Sequence, residues 1–174
     1  VSPENPGQRA VSLYKAKNKA LTSWEFIGFL FDNQYPEVVN NDCPLFFEID
    51  GKWVLVQGEH IGTTKRLGSR ATYYIGNLDK EKIRFEPEFR GRFFAGWGPN
   101  VLQDDKDRWI MWSFLGGFKN TQGWLNCMTL PRVLSILPDG RLGQKPAPEL
   151  QKLRGRQIQR GAMDLTDEIK VLEG

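Results

Sequence analysis

A pattern that occurs twice constrains the fold of this 174-residue chain more than any other feature. Residues 44–56 and 99–111 each contain a proline, an apolar segment, an acidic turn, a basic residue, a tryptophan and a second apolar segment. Two apolar segments joined by a short turn are typical of a β-hairpin. The copies begin roughly 55 residues apart, a period that suits a four-stranded propeller blade with long loops. The repeat favours a β-propeller over the alternative, two ordinary hairpins of a β-sandwich.

Short alternating runs of apolar and polar residues continue through the chain, whereas helical periodicity is scarce. Turns are indicated by Asp50-Gly51, by the acidic run at 104–107 and by Pro138-Asp139-Gly140. The sequence therefore predicts an all-β fold. The candidate strands are residues 10–16, 24–30, 45–50, 53–57, 71–77, 83–86, 100–103, 108–114, 125–130, 133–137 and 141–144.

These strands amount to about two and a half blades when each blade has four strands. Residues 10–30 supply two outer strands, residues 45–86 one full blade and residues 100–144 another. A propeller closes with roughly four to eight blades, and only a closed propeller leaves no inner edge exposed. We therefore expect a partial propeller, with the remaining blades supplied by the same longer protein or by another chain.

Composition argues against several classes of function. The net charge is +3, and the basic run at residues 152–160 has no aromatic side chain to stack on a base, so we expect no nucleic-acid partner. There is no apolar run long enough for a membrane span and no signal-peptide pattern. Because His60 is the only histidine, neither a histidine metal cluster nor a Ser-His triad is expected. Cys43 and Cys127 are predicted to be buried free thiols.

Asp42-Cys43-Pro44 is the strongest candidate for chemistry. An acidic residue just before a proline-initiated innermost strand would face the mouth of a propeller channel. Hydrolysis of a glycoside needs two carboxyl groups that flank the scissile bond, and Asp42 suits the role of the acid. A simple turn-capping aspartate is the alternative interpretation.

Several segments together resemble glycoside hydrolase family 32, the invertase and fructanase group. Asp42-Cys43-Pro44 is similar to the family's Glu-Cys-Pro motif, and residues 91–95, Gly-Arg-Phe-Phe-Ala, to its Gly-x-Phe-Tyr-Ala segment. Residues 123–134 contain the Thr-Leu-Pro-Arg run, followed by a closing hairpin at 138–142 and a Pro-x-Pro-Glu-Leu exit at 146–150. These matches follow the family's order through most of the chain.

The resemblance implies a five-bladed propeller that hydrolyses or transfers β-fructofuranosyl groups with retention and without a cofactor. It makes residues 1–148 the C-terminal blades and residues 149–174 a linker or the start of a β-sandwich. In the family, an N-terminal Asp is the nucleophile, an Arg-Asp-Pro motif stabilises the transition state and the Glu of Glu-Cys-Pro is the acid/base. Only the acid/base has a counterpart here, Asp42, so the chain alone is expected to be inactive. A secreted or periplasmic location is what the family suggests, while the sequence leaves the compartment open.

Departures from the family motif bear on the candidate site. Asp42 is one methylene shorter than Glu, which withdraws the carboxyl by roughly 1.5 Å, and a misplacement of about 1 Å can cost on the order of a hundredfold in rate. Asn41 stands where the family has Trp and is a candidate for binding the substrate. Arg92 is a candidate for a hydrogen bond to a sugar hydroxyl, and Trp97 for either sugar stacking or packing between blades. Glu59 is a candidate for the cleft lining, with a surface loop as the alternative.

These departures leave a second hypothesis open, a non-catalytic propeller that binds carbohydrate through Asp42. A third is a propeller that scaffolds other proteins. Asn-Asp-Pro-like and Arg-Asp-Pro motifs in sequence before Val1 would favour catalysis, and their absence would favour binding.

Overall fold

The computed structural model describes residues 9–63, 66–93, 96–119 and 122–156, and strands dominate this part of the chain. A short 3-10 helix, Pro148–Leu153, follows the last strand described. The prediction of an all-β fold is therefore confirmed. The strands are β1 Ala10–Ala16, β2 Trp24–Asp32, β3 Val38–Ile49, β4 Lys52–Thr63, β5 Arg66–Asp79, β6 Arg84–Arg92, β7 Trp97–Gln103, β8 Trp109–Lys119, β9 Leu125–Met128, β10 Arg132–Ile136 and β11 Leu142–Pro146.

The strands form three antiparallel sheets in chain order. β1 pairs with β2, and β3 to β6 form a second sheet in sequential order. In the third sheet β7 pairs with β8, whose other edge carries β9 along one part and β10 along the next, and β11 completes the sheet. β9 and β10 thus share one strand position, interrupted near Pro131, which has no N–H to donate to a ladder. The predicted two outer strands and two full blades are confirmed.

Both hairpins of the sequence repeat form, with different turns. Asp50 and Gly51 join β3 to β4 with φ angles of 52° and 75°, the left-handed pair that a tight two-residue hairpin needs. The turn between β7 and β8 is held by Asp104, whose carboxylate accepts the backbone N–H groups of Lys106 and Arg108. The acidic turns predicted at these two places are confirmed.

Apolar side chains on both faces of the middle sheet hold the three sheets together. Side chains alternate between the faces of a strand, so Val54 and Val56 of β4 lie on one face and Leu55 on the other. One face packs on the third sheet, with Met111, Leu134 and Leu142 in the shared core. The other face packs on the β1–β2 sheet, with Val11, Leu30 and Phe31 in the shared core. The middle blade is therefore a layer between its two neighbours.

Some predicted boundaries and environments were wrong. β3 begins at Val38 rather than at residue 45, so Asp42 lies inside the innermost strand and not before it. Pro44 is tolerated there because the ladder is irregular between Asp42 and Leu45, and because β3 is the edge strand of its sheet. The two cysteines are free, as predicted, but both are exposed.

Some residues that carry sequence predictions lie outside the described part of the chain. These are Phe94 and Ala95 of the segment at 91–95, and everything after Arg156. The described part of the chain contains no helix that is long and apolar enough to cross a bilayer.

Candidate functional site

Asp42 lies at an irregularity of the innermost strand. The pairing of β3 with β4 shifts between Asp42 and Leu45, and Cys43 adopts a φ of 47°. Such bulges re-aim side chains and are frequent beside active sites. The Asp42 side chain keeps 46% of its surface exposed, and its Oδ1 accepts the Cys43 thiol at 3.3 Å. This carboxylate raises the pKa of the Cys43 thiol above its ordinary value, which keeps the sulfur protonated.

His60 and Trp97 lie beside Asp42. The imidazole Nε2 of His60 is 3.9 Å from Asp42 Oδ2, and the His60 and Trp97 rings meet edge to face with centroids 5.2 Å apart. Gly58, the partner of Asp42 across the β3–β4 ladder, makes room for Trp97, since a Cβ at Gly58 would lie 2.8 Å from the indole. Asp42, His60 and Trp97 thus form a half-exposed group where β3 and β4 meet β7.

Glu59 occupies the opposite face of β4 and is fully buried. Its Oε1 accepts the hydroxyl of Tyr74 and, at 3.1 Å, the amide of Asn33. Its Oε2 accepts Thr72 Oγ1 at 3.0 Å, Arg70 Nε at 2.8 Å and an Arg90 NH2 group at 2.7 Å. The carboxylate therefore connects the β1–β2 sheet to the middle blade, in a buried strand rather than on a surface loop.

Hydrogen bonding keeps Glu59 charged in spite of its burial. Burial alone would raise the pKa of Glu59, but the donors Tyr74, Arg90 and Arg70 outweigh it and hold the pKa below the ordinary value. Conversely, burial and the neighbouring Glu59 carboxylate raise the pKa of Tyr74, so the phenol remains a donor. Because these partners account for both carboxylate oxygens, Glu59 is suited to holding the blades together and not to contacting a substrate.

Asn41 belongs to the same interblade network. Its amide donates to the backbone carbonyl of Arg9, and its Oδ1 accepts Gln57 Nε2 at 3.1 Å and Asn33 Nδ2 at 3.3 Å. The amide nitrogen of Asn41 is thus occupied by a backbone carbonyl, and its Oδ1 by two side chains. This residue ties β3 to the β1–β2 sheet directly beside Asp42.

Arg92 ends the outermost strand of the middle blade and is exposed. It lines a cavity of about 320 Å³ together with Glu37, Arg70, Arg90 and Gly91. Since Arg70 and Arg90 bind Glu59, this cavity is on the face of the sheet away from His60 and Trp97. Arg92 is therefore separated from Asp42 by the sheet itself.

The five residues proposed from the sequence thus divide into two groups. Asp42 and Trp97 lie together, whereas Asn41, Glu59 and Arg92 belong to the other face of the middle blade. His60 was not among the site residues proposed from the sequence. Its position two residues after Gly58 on β4 was the available signal, because alternate residues share a face. Among the residues described, no three His, Cys, Asp or Glu side chains gather as a metal site would require.

Comparison with known proteins gives a consistent match. The family model described as "Glycosyl hydrolases family 32 N-terminal domain" matches residues 1–146. A sucrose-6-phosphate hydrolase of Bacillus subtilis (strain 168) is 31% identical over 157 residues, which cover 77% of this chain and 32% of that protein. The chain therefore spans about a third of the length of this relative.

Solved structures of the same family share the fold. The Bombyx mori GH32 beta-fructofuranosidase superimposes with a TM-score of 0.72 at 23% identity, covering 87% of this chain and 35% of the other. A mutant of that enzyme in complex with sucrose gives the same values, a TM-score of 0.72 at 23% identity over 87% and 35% of the two chains. At this identity the likeness establishes the fold, a partial β-propeller. Together with the match of the family model over most of the sequence, it shows that the chain belongs to glycoside hydrolase family 32.

Proposed function

We propose that this chain supplies two and a half blades of a propeller that hydrolyses β-fructofuranosides such as sucrose, with Asp42 as the acid/base. The remaining blades, from the same longer protein or another chain, would supply the nucleophile. The reaction proposed is retaining hydrolysis, in which one carboxyl group attacks the sugar and the other protonates the leaving oxygen and then activates water. Relatives named as a sucrose-6-phosphate hydrolase and a beta-fructofuranosidase support this class of substrate.

The position of Asp42 is the observation that carries the proposal. A carboxylate at a bulge of the innermost strand is half-exposed, so it can meet a substrate while the strand holds its backbone. The adjacent indole of Trp97 offers an apolar surface against which the C–H groups of a sugar ring pack. A general acid must come within hydrogen-bond reach of the leaving oxygen. The exposed carboxylate of Asp42 would do so for a sugar that packs on Trp97.

Substitution of Asp42 in the whole enzyme tests the role. We expect Asp42→Asn to lower kcat for sucrose by a factor of about 10² to 10⁴, the usual contribution of general acid–base catalysis. Asp42→Glu, which restores the longer side chain of the family motif, should retain or raise activity. Initial rates of glucose release, measured with the two variants and wild type at equal concentrations, would reveal both effects.

A matched control comes from the turn between β7 and β8. Asp105→Asn removes an exposed carboxylate of the same kind, away from the bulge, and should leave the rate unchanged. Wild-type rates in Asp42→Asn would eliminate the acid/base assignment.

A non-catalytic sugar-binding propeller is the second candidate, and the short side chain of Asp42 favours it. An aspartate at this place still accepts a hydroxyl hydrogen bond without reaching a glycosidic oxygen. In that case the whole protein would bind sucrose or a fructan without cleaving it, and Asp42→Ala would weaken the binding measured by calorimetry. Turnover of sucrose by wild type would exclude this alternative.

A further inference from the structure

Three arginines line one cavity, where β5 begins and β6 ends. The cavity has a volume of about 320 Å³ and is lined by Glu37, Arg70, Arg90, Gly91 and Arg92. Its size falls at the lower end of the range for small-ligand sites. Guanidinium groups are planar forks of N–H donors that match the oxygens of phosphate and carboxylate. The composition of the lining is therefore that of an anion site.

Two of the arginines are held in place before any ligand arrives. Arg70 donates to Glu59 at 2.8 Å and to Glu37 at 3.0 Å, and Arg90 donates to the same two residues at 2.7 and 3.1 Å. The guanidinium of Arg90 also lies 3.5 Å from the centre of the Tyr35 ring. Each guanidinium still has further N–H donors. Preorganisation of this kind reduces the entropy that binding must overcome.

The charges at the cavity do not cancel. Glu37 remains ionised, because a backbone hydrogen bond, together with Arg70 and Arg90, lowers its pKa to about 2. Glu59 below the cavity is ionised as well, as its lowered pKa indicates. Two carboxylates thus face three guanidinium groups. Among the described residues, the side chain of Arg92 has no hydrogen-bond or ion-pair partner, so its positive charge is the one left uncompensated.

The geometry points to a binding site for a small tetrahedral oxyanion, formed by Arg92 together with Arg70 and Arg90. The ligand is phosphate, either free or as the monoester of a sugar. Glu37 is an internal competitor, since its carboxylate already accepts hydrogen bonds from both Arg70 and Arg90. The site lies across the sheet from Asp42, Trp97 and His60. It does not depend on the proposed fructosidase activity.

The site is tested by isothermal titration calorimetry, in which inorganic phosphate is added to the whole protein at low salt. We expect saturable binding that Arg92→Gln weakens roughly tenfold, as the loss of one charged hydrogen-bonding group implies. Arg84→Gln is the matched control, because Arg84 is an exposed arginine at the other end of β6 that does not line the cavity. This control variant should bind phosphate like wild type.

Glu37→Gln should change the phosphate affinity in the direction opposite to Arg92→Gln. Removal of the competing carboxylate should tighten phosphate binding, whereas a merely structural role of Glu37 would weaken it or leave it unchanged. The same titration with fructose 6-phosphate separates the two sources of the anion. Tighter binding than that of inorganic phosphate identifies a phosphorylated sugar, and equal binding identifies the free anion. Absence of saturable phosphate binding to wild type, or equal affinities of wild type and Arg92→Gln, would overturn the proposal.

Discussion

At the scale of single residues, the contrast between Asp42 and Glu59 defines the middle blade. The two carboxylates are on adjacent strands, yet one is half-exposed beside His60 and the other is fully buried. Burial of a charge is tolerated only when donors replace water, and Glu59 has five of them. Glu59 is therefore expected to serve stability, and Asp42 to serve function.

Replacement of Glu59 should destabilise the fold strongly. Glu59→Gln removes the buried negative charge that pairs with the partly buried Arg70 and Arg90, which we expect to lower the free energy of unfolding by about 3 kcal/mol. Urea denaturation followed by tryptophan fluorescence would measure the loss. Glu81→Gln is the control, because the Glu81 side chain is exposed. Equal stabilities of the two variants would contradict the structural role of Glu59.

Acid should weaken the protein through the same residue. The pKa of Glu59 is lowered in the folded state from its ordinary value of about 4.5, so the unfolded state takes up a proton first as the pH falls. Stability from this carboxylate is thus present above about pH 4.5 and is lost as the pH falls through the lowered pKa. Thermal unfolding at a series of pH values should show a steeper acid decline in wild type than in Glu59→Gln. Parallel curves would be inconsistent with this linkage.

Residue roles were only partly predictable from sequence. The sequence proposes Asp42 because a motif marks it, and Trp97 because an aromatic residue near a channel can stack on a sugar; the structure places the two side by side. The burial of Glu59 was not predictable, since it depends on how the β1–β2 sheet covers β4. Likewise, the sequence shows only that Asn41 replaces the tryptophan of the family motif. Its role as a link between blades depends on contacts with Arg9 and Asn33, which the sequence does not reveal.

At the scale of strands, β5 and β6 approach each other closely at Gly76. The β5–β6 pairing shifts between Ile75 and Gly76. A Cβ at Gly76 would lie 2.0 Å from the backbone oxygen of Glu86, so the two strands approach each other only because this residue has no side chain. Strand lengths were harder to predict than strand positions, because the bulge that keeps β3 continuous through Pro44 has no simple sequence signal.

Alanine at Gly76 should therefore disturb the blade. Since the clash is with backbone, the strands must separate locally, and we expect a loss of about 1–3 kcal/mol in the free energy of unfolding. Gly68→Ala on the same strand is the control, because its Cβ would lie 3.4 Å from the side chain of Ile61, an ordinary contact. Chemical denaturation would give the free energy of unfolding of both variants. If Gly76→Ala leaves this free energy unchanged, β5 and β6 do not approach each other as closely as the structure shows.

At the scale of the whole molecule, the blades are held together by apolar cores on both faces of the middle sheet. A hydrogen bond from the Trp109 indole to the carbonyl of Glu48, at 2.9 Å, adds a polar link between the second and third sheets. The sequence repeat predicted both hairpins and hence the blade count. It did not predict that the two repeat tryptophans differ in role, with Trp53 stacked on Phe46 and Trp109 packed on Phe47.

Truncation in the core between the second and third sheets should cost more than truncation on the surface of the same blade. Met111 is 1% exposed and Met128 is 67% exposed. We expect Met111→Ala to lower the free energy of unfolding by about 2–5 kcal/mol, the range for buried large-to-small changes, and Met128→Ala to change it little. Thermal and urea unfolding would both report the difference. Similar losses in the two variants would contradict the packing of the blades.

The central claim, that Asp42 protonates the leaving group of a fructoside, is tested most directly by changing that leaving group. A fructosyl fluoride needs little acid assistance, whereas sucrose needs a full proton transfer. In the whole enzyme, we predict that Asp42→Asn lowers kcat/KM for sucrose by a factor of about 10² or more and leaves kcat/KM for fructosyl fluoride within a few-fold of wild type. Equal losses on the two substrates, or no loss on sucrose, would contradict the assignment of Asp42 as the acid.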